Sequence, residues 1–265
     1  MNLTRFENIL ESLPRPVLFA HRGASNYAPE NTLAAFELAV KLGADAIELD
    51  AKLSRDGQVV VIHDQTVNRT TPASGRVAYL TLAELQKLDA GSHFDLAFKD
   101  EPIPSLEQVF EAVGKKIYIN IELTNYASKT DDLPLRVAQL VKRHDLSKWV
   151  MFSSFNPIAL RRAHKALPEV PLGLLALRGQ KGAWARSWLG RLVGYQALHP
   201  HYSDVDETMV SKLQSQGYRV HVYTVNEVNE MQRLVELGVD GIITDDPIRA
   251  QRILKQKTLE TSPRG

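Results

Sequence analysis

His21-Arg22-Gly23, the pair Glu48 and Asp50, His63-Asp64, and Glu122 are the residues of this chain whose types and spacing suit chemistry. Each group ends or directly follows a short run of β-branched and aliphatic residues. Glu48 and Asp50 stand two apart, so on one strand both carboxylates project from the same side and reach one ion. Glu122, from a separate run, completes a three-carboxylate oxygen site, which suits a hard cation such as Mg²⁺ or Ca²⁺ better than zinc. Such a trio repels strongly when bare; the alternative to a cation is an ion-pair network with Arg22 and Lys52. Histidine titrates near 6.5 when unperturbed, so His21 and His63 can supply an acid and a base near neutrality. One histidine or acid at a strand end is usually a satisfied polar group, but four successive strand ends bearing them point to one site.

The elements that must position these residues alternate. Nine runs read as strands: Val17 to Ala20, Ala46 to Leu49, Val59 to Ile62, Ile117 to Ile121, Val150 to Phe152, Leu172 to Leu177, Gln196 to Leu198, Arg219 to Tyr223 and Gly241 to Ile243. Segments of helical period separate most of them, as in Thr32 to Leu42, Leu133 to His144, Pro157 to Leu167, Glu207 to Gln216 and Val228 to Leu237. Ser105 with Gln108 and Thr81 with Glu84 have capping-box spacing, and Gly43, Gly217 and Gly238 follow the last apolar residue of a helix. The expected fold class is α/β in one domain spanning 1–265; a (β/α)₈ barrel fits this length, but the count of runs does not choose between it and an open doubly wound sheet, and in a barrel the strand ends share one face where active sites sit. Nine runs is one too many for an eight-stranded barrel, and Gln196 to Leu198 is the one taken as a loop or short edge piece. Ala51 to Gln58, with its Asp56-Gly57 turn, is too short for a crossover helix; it forms a hairpin or runs back extended, leaving the next strand parallel. Gln65 to Ser105 is too long for a barrel loop and reads as an insertion after the third strand.

Composition narrows the function. With 265 residues, 32 Lys plus Arg against 31 Asp plus Glu and no cysteine, thiolate metal sites, disulfides and cysteine nucleophiles are excluded. Mixed charge with a net of +1 gives no basic stripe for nucleic acid. The N-terminus lacks a basic n-region and an unbroken apolar stretch, and no run approaches the ~20 residues needed to span a bilayer, which favours a soluble cytoplasmic protein. The tail Thr261 to Gly265 reads as disordered.

His21-Arg22-Gly23, Pro29-Glu30-Asn31-Thr32, Glu48-Leu49-Asp50, Asp56-Gly57 followed by His63-Asp64, Ile103-Pro104-Ser105-Leu106-Glu107, Glu122, Thr224-Val225-Asn226 and Gly241-Ile242-Ile243-Thr244-Asp245 resemble the ordered motifs of glycerophosphodiester phosphodiesterases, from about residue 17 to about residue 250. The resemblance implies a phospholipase C-like phosphodiesterase barrel whose insertion, about 65–105, lies beside the active site. It also implies cleavage of small-molecule glycerophosphodiesters to sn-glycerol 3-phosphate and an alcohol with a divalent cation. By position, His21 and His63 would be the acid/base pair, Glu48, Asp50 and Glu122 the metal ligands, and Arg22 a phosphate-binding group. Glu30, Asn31, Thr124 and Tyr223 would contact substrate or shape its site. Thr124 stands where the family often has a lysine, for which Lys52 is a candidate substitute, and Tyr223 stands where a tryptophan is common.

Two segments admit two readings. Ser153-Ser154-Phe155-Asn156 fits either a helix cap or a ligand contact. Trp184, Trp188, Leu189, Leu192 and Val193 trace an apolar stripe among Arg178, Lys181, Arg186 and Arg191. The stripe fits an outer helix packed on the barrel, or a lipid-facing patch over 184–195 that would favour a lysophospholipase D acting on lysophospholipids. A third possibility, of another class, is a catalytically silent barrel that binds a phosphorylated ligand; it leaves both histidines without a task.

Overall fold

The computed structural model describes residues 9–124, 128 and 130–261; the sequence-predicted tail beyond Thr261, like Asn125 and Tyr126, lies outside them. Its strands are β1 (Val17–His21), β2 (Ala46–Leu53), β3 (Val59–Val61), β4 (Tyr118–Leu123), β5 (Val150–Ser154), β6 (Leu172–Ala176), β7 (Ala197–Pro200), β8 (Arg219–Val222) and β9 (Gly241–Thr244). Eight of them close a parallel ring in the order β1, β2, β4, β5, β6, β7, β8, β9 and back to β1. The fold is therefore the expected eight-stranded barrel.

The surplus strand is not the expected one. The run beginning at Gln196 belongs to the ring as β7, paired with β6 and β8, while β3 lies outside. It pairs antiparallel with the far end of β2, Ala51 opposite Val61 and Leu53 opposite Val59. The hairpin alternative is the one realised. Ser54 fixes its turn: the Ser54 hydroxyl donates to Asp56 at 2.6 Å and accepts from the Gln58 amide at 3.0 Å. Gly57 takes φ +74°, a conformation that side chains disfavour.

Helices cover the outside of the ring. Thr32 caps Leu33–Lys41, and the capping boxes at Ser105 and Thr81 both form. Between helices and ring lies the main core, including Phe36, Phe110, Phe152 and Leu160. A smaller cluster of Leu10, Leu13, Val17, Phe19 and Met151 closes the barrel floor. The insertion builds a third cluster, Val67, Val77, Leu85, Ala90 and Ile103, against Val60 and Ile62 of the hairpin. It thus seats on the strand that carries His63. Among the described residues, no helix is long and apolar enough to cross a membrane.

Candidate active site

The turn after β1 starts the site. Arg22 and Gly23 both have positive φ, +56° and +87°. A β-carbon at Gly23 would lie 2.7 Å from the backbone of Ala35, so only glycine lets the helix start this close to the strand end. The left-handed turn aims the Arg22 amide at Glu48 Oε2, 3.1 Å away. It also returns the chain so that Asn31, itself at φ +57°, accepts from the Asp50 amide and donates to Asp50 Oδ2 at 2.9 Å.

Glu48 and Asp50 on β2 and Glu122 on β4 come together, each offering an oxygen within 4.8 Å of the others. Register explains this, because Asp50 stands opposite Glu122 in the parallel pair and Glu48 lies one pleat below on the same face. Burial, then the Asp50 and Glu122 charges, push the Glu48 carboxyl well above its ordinary range, while Arg22 opposes them. The Arg22 guanidinium is ion-paired with Asp50 at 3.2 Å and donates a hydrogen bond to Glu30 at 2.9 Å. The ion-pair alternative is thus half realised: Arg22 joins the cluster. Lys52 instead donates to the Thr124 hydroxyl at 2.7 Å and carbonyl at 3.2 Å. Three carboxylates, Glu48 and Asp50 buried and Glu122 half-buried, with a single engaged arginine fit a hard divalent cation in charge and donor chemistry.

Both histidines are oriented by carboxylates. His21 Nδ1 donates to Asp245 at 2.6 Å, and Asp245 also accepts from Asn226 at 2.6 Å and Ser25 at 3.1 Å. Although burial pushes Asp245 upward, the hydrogen bond and charge of His21 and the bonds from Asn226 and Ser25 hold it below the ordinary carboxylate range. With Nδ1–H committed, neutral His21 presents its basic Nε2 to the cavity, 3.9 Å from Glu48. His63 arrives differently from the sequence expectation. It is not the end of a parallel strand; the antiparallel β3 runs back toward the mouth, and the Ile62 amide bonds Asp50 O at 2.9 Å. His63 Nδ1 donates to Asp64 at 2.6 Å.

Arg69, which sequence reasoning did not single out, connects these parts. It bonds Asp64 at 2.8 Å and grips Glu30 with two donors at 2.7 and 2.8 Å. Its hydrogen bonds hold Asp64 at about 2, against the upward push of burial. Glu30, which burial would raise, is likewise held at about 2 by Arg69 and Arg22. A continuous chain therefore runs from His63 through Asp64, Arg69, Glu30 and Arg22 to Asp50.

A cavity of about 230 Å³ opens among these groups, lined by His21, Arg22, His63, Glu48, Glu122 and Tyr223, with Asn120 and Phe155 beside them. Asp50 sits behind Arg22. Glu30, Asn31 and Thr124 are not on its wall: the first two orient Arg22 and Asp50, and Thr124 holds Lys52. Of the ambiguous segment, Phe155 faces the cavity while Asn156 caps the next helix through the Ile158 amide. Asp245 and Asn226 were inside quoted motifs, yet nothing in their spacing assigned them to His21.

The model of the glycerophosphoryl diester phosphodiesterase family matches residues 21–249. A glycerophosphodiester phosphodiesterase of Caldanaerobacter subterraneus subsp. tengcongensis is 41% identical over 88% of this chain and 95% of its own length. One from Bacillus subtilis is 33% identical over 93% and 89%. The solved structure of an Oleispira antarctica phosphodiesterase in complex with the product sn-glycerol-3-phosphate superposes with a TM-score of 0.85 at 32% identity, covering 94% of this chain and all of that one.

Proposed function

Because the chain belongs to the glycerophosphoryl diester phosphodiesterase family, we propose that it hydrolyses glycerophosphodiesters to sn-glycerol 3-phosphate and an alcohol, with His21 and His63 as acid and base and a Mg²⁺ or Ca²⁺ ion as cofactor. One observation supports the reading: two imidazoles, each with Nδ1 bound to a carboxylate at 2.6 Å, face one cavity whose wall includes Glu48 and Glu122 of the three-carboxylate cluster.

Arg22 offers the planar donor fork that suits phosphate oxygens and is held in place by Glu30 and Asp50. Glu48, Asp50 and Glu122 would hold the cation, which supplies stabilisation for charge on the phosphoryl oxygens. One histidine takes the proton of the glycerol hydroxyl next to the phosphate, and that oxygen attacks phosphorus. The other histidine gives its proton to the leaving alcohol oxygen as the phosphorus–oxygen bond breaks, leaving a cyclic phosphate. The roles then reverse: the second imidazole deprotonates water, which opens the ring, and the first reprotonates the glycerol oxygen. Tyr223, whose hydroxyl donates to Ala176 O at 2.8 Å, and Phe155 form an aromatic wall beside this path.

The test is release of sn-glycerol 3-phosphate from glycerophosphocholine, and of choline from lysophosphatidylcholine, with Mg²⁺, Ca²⁺ or EDTA, for wild type and His21→Ala. Turnover of the soluble diester that EDTA stops, added cation restores and His21→Ala abolishes is the expected result. Choline release from the lysolipid alone would move the assignment to a lysophospholipase D, and no turnover of either would leave a binding barrel.

A further inference from the structure

The segment between β6 and β7 inverts the usual pattern of a helix packed on a barrel. It folds as a tight turn, Gly179–Gly182, followed by two four-residue helices, Ala183–Arg186 and Trp188–Arg191, rather than one continuous outer helix. Its small residues face inward: Ala185 is fully buried, and β-carbons at Gly182 and Gly190 would collide with the carbonyls of Leu177 and Ala185 at 1.8 and 2.1 Å. Its large apolar residues face out, with Trp188 66% and Leu192 68% exposed and Leu177, Leu189 and Trp184 also on the surface.

The platform is stiff. Arg186 bonds the carbonyls of Leu177 and Gly179 and pairs with Asp204 at 2.8 Å, so this cation is used internally. Tyr223, on the wall of the catalytic cavity, bonds the carbonyl of Ala176 where the segment begins. Along the segment itself the charge is of one sign, and the next acid after it, Asp204, is taken up by Arg186 and the Gly179 amide. From Val170 to Ser203 the sequence holds no Asp or Glu, while Arg178, Lys181 and Arg191 occur in it. None of these three has a salt bridge among the described residues. Beside Leu192 runs a groove lined by Ile158, Arg161, Arg162, Lys165, Pro168 and Val193, again without an acid. Although Arg162 pairs with Asp132 at 3.3 Å, exposed tryptophan and leucine beside Arg178, Lys181 and Arg191, which have no salt bridge among the described residues, complement an anionic lipid interface, where indole rings sit among headgroups and basic side chains meet lipid phosphates.

We propose that the face formed by Leu177, Trp184, Trp188, Leu189 and Leu192, with Arg178, Lys181 and Arg191, docks the enzyme on anionic membrane surfaces. The cavity wall reached through Tyr223 then lies next to the bilayer, where diesters shed from lipids are generated. Binding by this face is independent of which diester is cleaved.

The experiment is co-sedimentation with vesicles of neutral phosphatidylcholine and with vesicles also containing anionic phosphatidylglycerol. It compares wild type, Trp188→Ser/Leu192→Ser and Arg178→Glu/Lys181→Glu, and records turnover of soluble glycerophosphocholine in parallel. Wild type should sediment with the anionic vesicles in a salt-sensitive way. Both double variants should bind at least about tenfold more weakly while keeping their turnover, since the replaced side chains lie outside the catalytic cavity. Wild type that stays in the supernatant, or variants that sediment like wild type, would overturn the proposal. Self-association of wild type that Trp188→Ser/Leu192→Ser abolishes, in the absence of vesicle binding, would overturn it in favour of a second copy of the chain.

Discussion

His21 acts through residues more than two hundred positions away. Asp245 accepts its Nδ1–H, Asn226 clamps the other carboxylate oxygen, and the Asn226 side-chain Oδ1 in turn accepts from the Asp245 backbone amide at 3.0 Å. Without the carboxylate, the imidazole loses both its fixed tautomer and the partner that stabilises its protonated form. Asp245→Asn should therefore lower kcat/KM by about 10²- to 10⁴-fold, while cation binding, read by calorimetry, stays unchanged. Adding Asp245→Asn to His21→Ala should cost little more, since the two act as one unit; additive losses would show that Asp245 does not work through His21. Arg69 is the corresponding residue for His63. Arg69→Ala should reduce kcat by about 10²-fold through misplaced His63 and Arg22, with Arg69→Lys recovering only part because one ammonium cannot hold Glu30 with two donors and Asp64 at once. Equal rates for the two variants would make the fork irrelevant. The sequence made the two histidines and three acids legible because residue type and strand-end position carry that information. It did not reveal Asp245, because a side-chain pair separated by 224 residues leaves no local pattern, nor Arg69, whose neighbour Asp64 lies five residues away on irregular chain and whose other partner, Glu30, lies thirty-nine away.

The β2–β3 hairpin shows what can and cannot be read at the level of elements. Val59 to Ile62 is unbroken β-branched sequence and reads as a strand, but propensity reports extended backbone, not the direction of pairing. Connection length carried that information, since the short Ser54–Gln58 turn leaves no room for a crossover helix. The error fell on β7, whose Ala-Leu-His-Pro has one large aliphatic residue and a proline, so its strand signal is weak. It is held in the ring by pairing on both sides, Leu175 opposite His199 and Leu198 opposite Val220. The functional consequence lies in the hairpin, because the turn at Gly57 sets the register that delivers His63. Space around Gly57 is open, with only the end of Arg136 at 3.9 Å, so a substitution there is resisted by the backbone alone. Gly57→Ala should cost about 1 kcal/mol in urea unfolding. If the turn holds the register, the same variant should lower kcat more than it raises KM; unchanged kcat with the stability loss present would place His63 under the control of the insertion instead.

Across the whole molecule, closing eight strands creates a lumen, and this chain fills part of it with two histidines that no local sequence pattern pairs. His199 on β7 and His221 on β8 are fully buried, their rings 5.0 Å apart, with Phe19 packed at 5.0 Å against His221. Neighbouring glycines make the room: a β-carbon at Gly173 would lie 2.5 Å from His199 Nε2, and one at Gly241 2.8 Å from His221 Cδ2. None of the four ring nitrogens has a hydrogen-bond partner among the described residues, so neither ring is stabilised as a cation. Burial holds His199 down to about 3 and, with the charges of His199 and Arg219, pushes His221 well below its usual value. In the unfolded chain both rings protonate as pH falls through about 6.5. Between that pH and the depressed folded values, the unfolded state binds more protons, so stability is full at pH 7 and above and drains as pH falls, by about 1.4 kcal/mol per unit for each ring. Paired carboxylates such as Asp64 and Glu30, both held at about 2, add their own loss only at lower pH, below about 4.5. The raised Glu48 carboxyl acts with the opposite sign, but it is common to wild type and a His221 variant, so over the window from about pH 6 to pH 5 the difference between the two isolates this ring. Over it, His221→Gln should lose about 1.4 kcal/mol per unit less than wild type in urea unfolding, whatever its stability at pH 7. Parallel slopes for the two proteins would mean that His221 already carries a proton in the folded lumen, and that the barrel interior solvates charge.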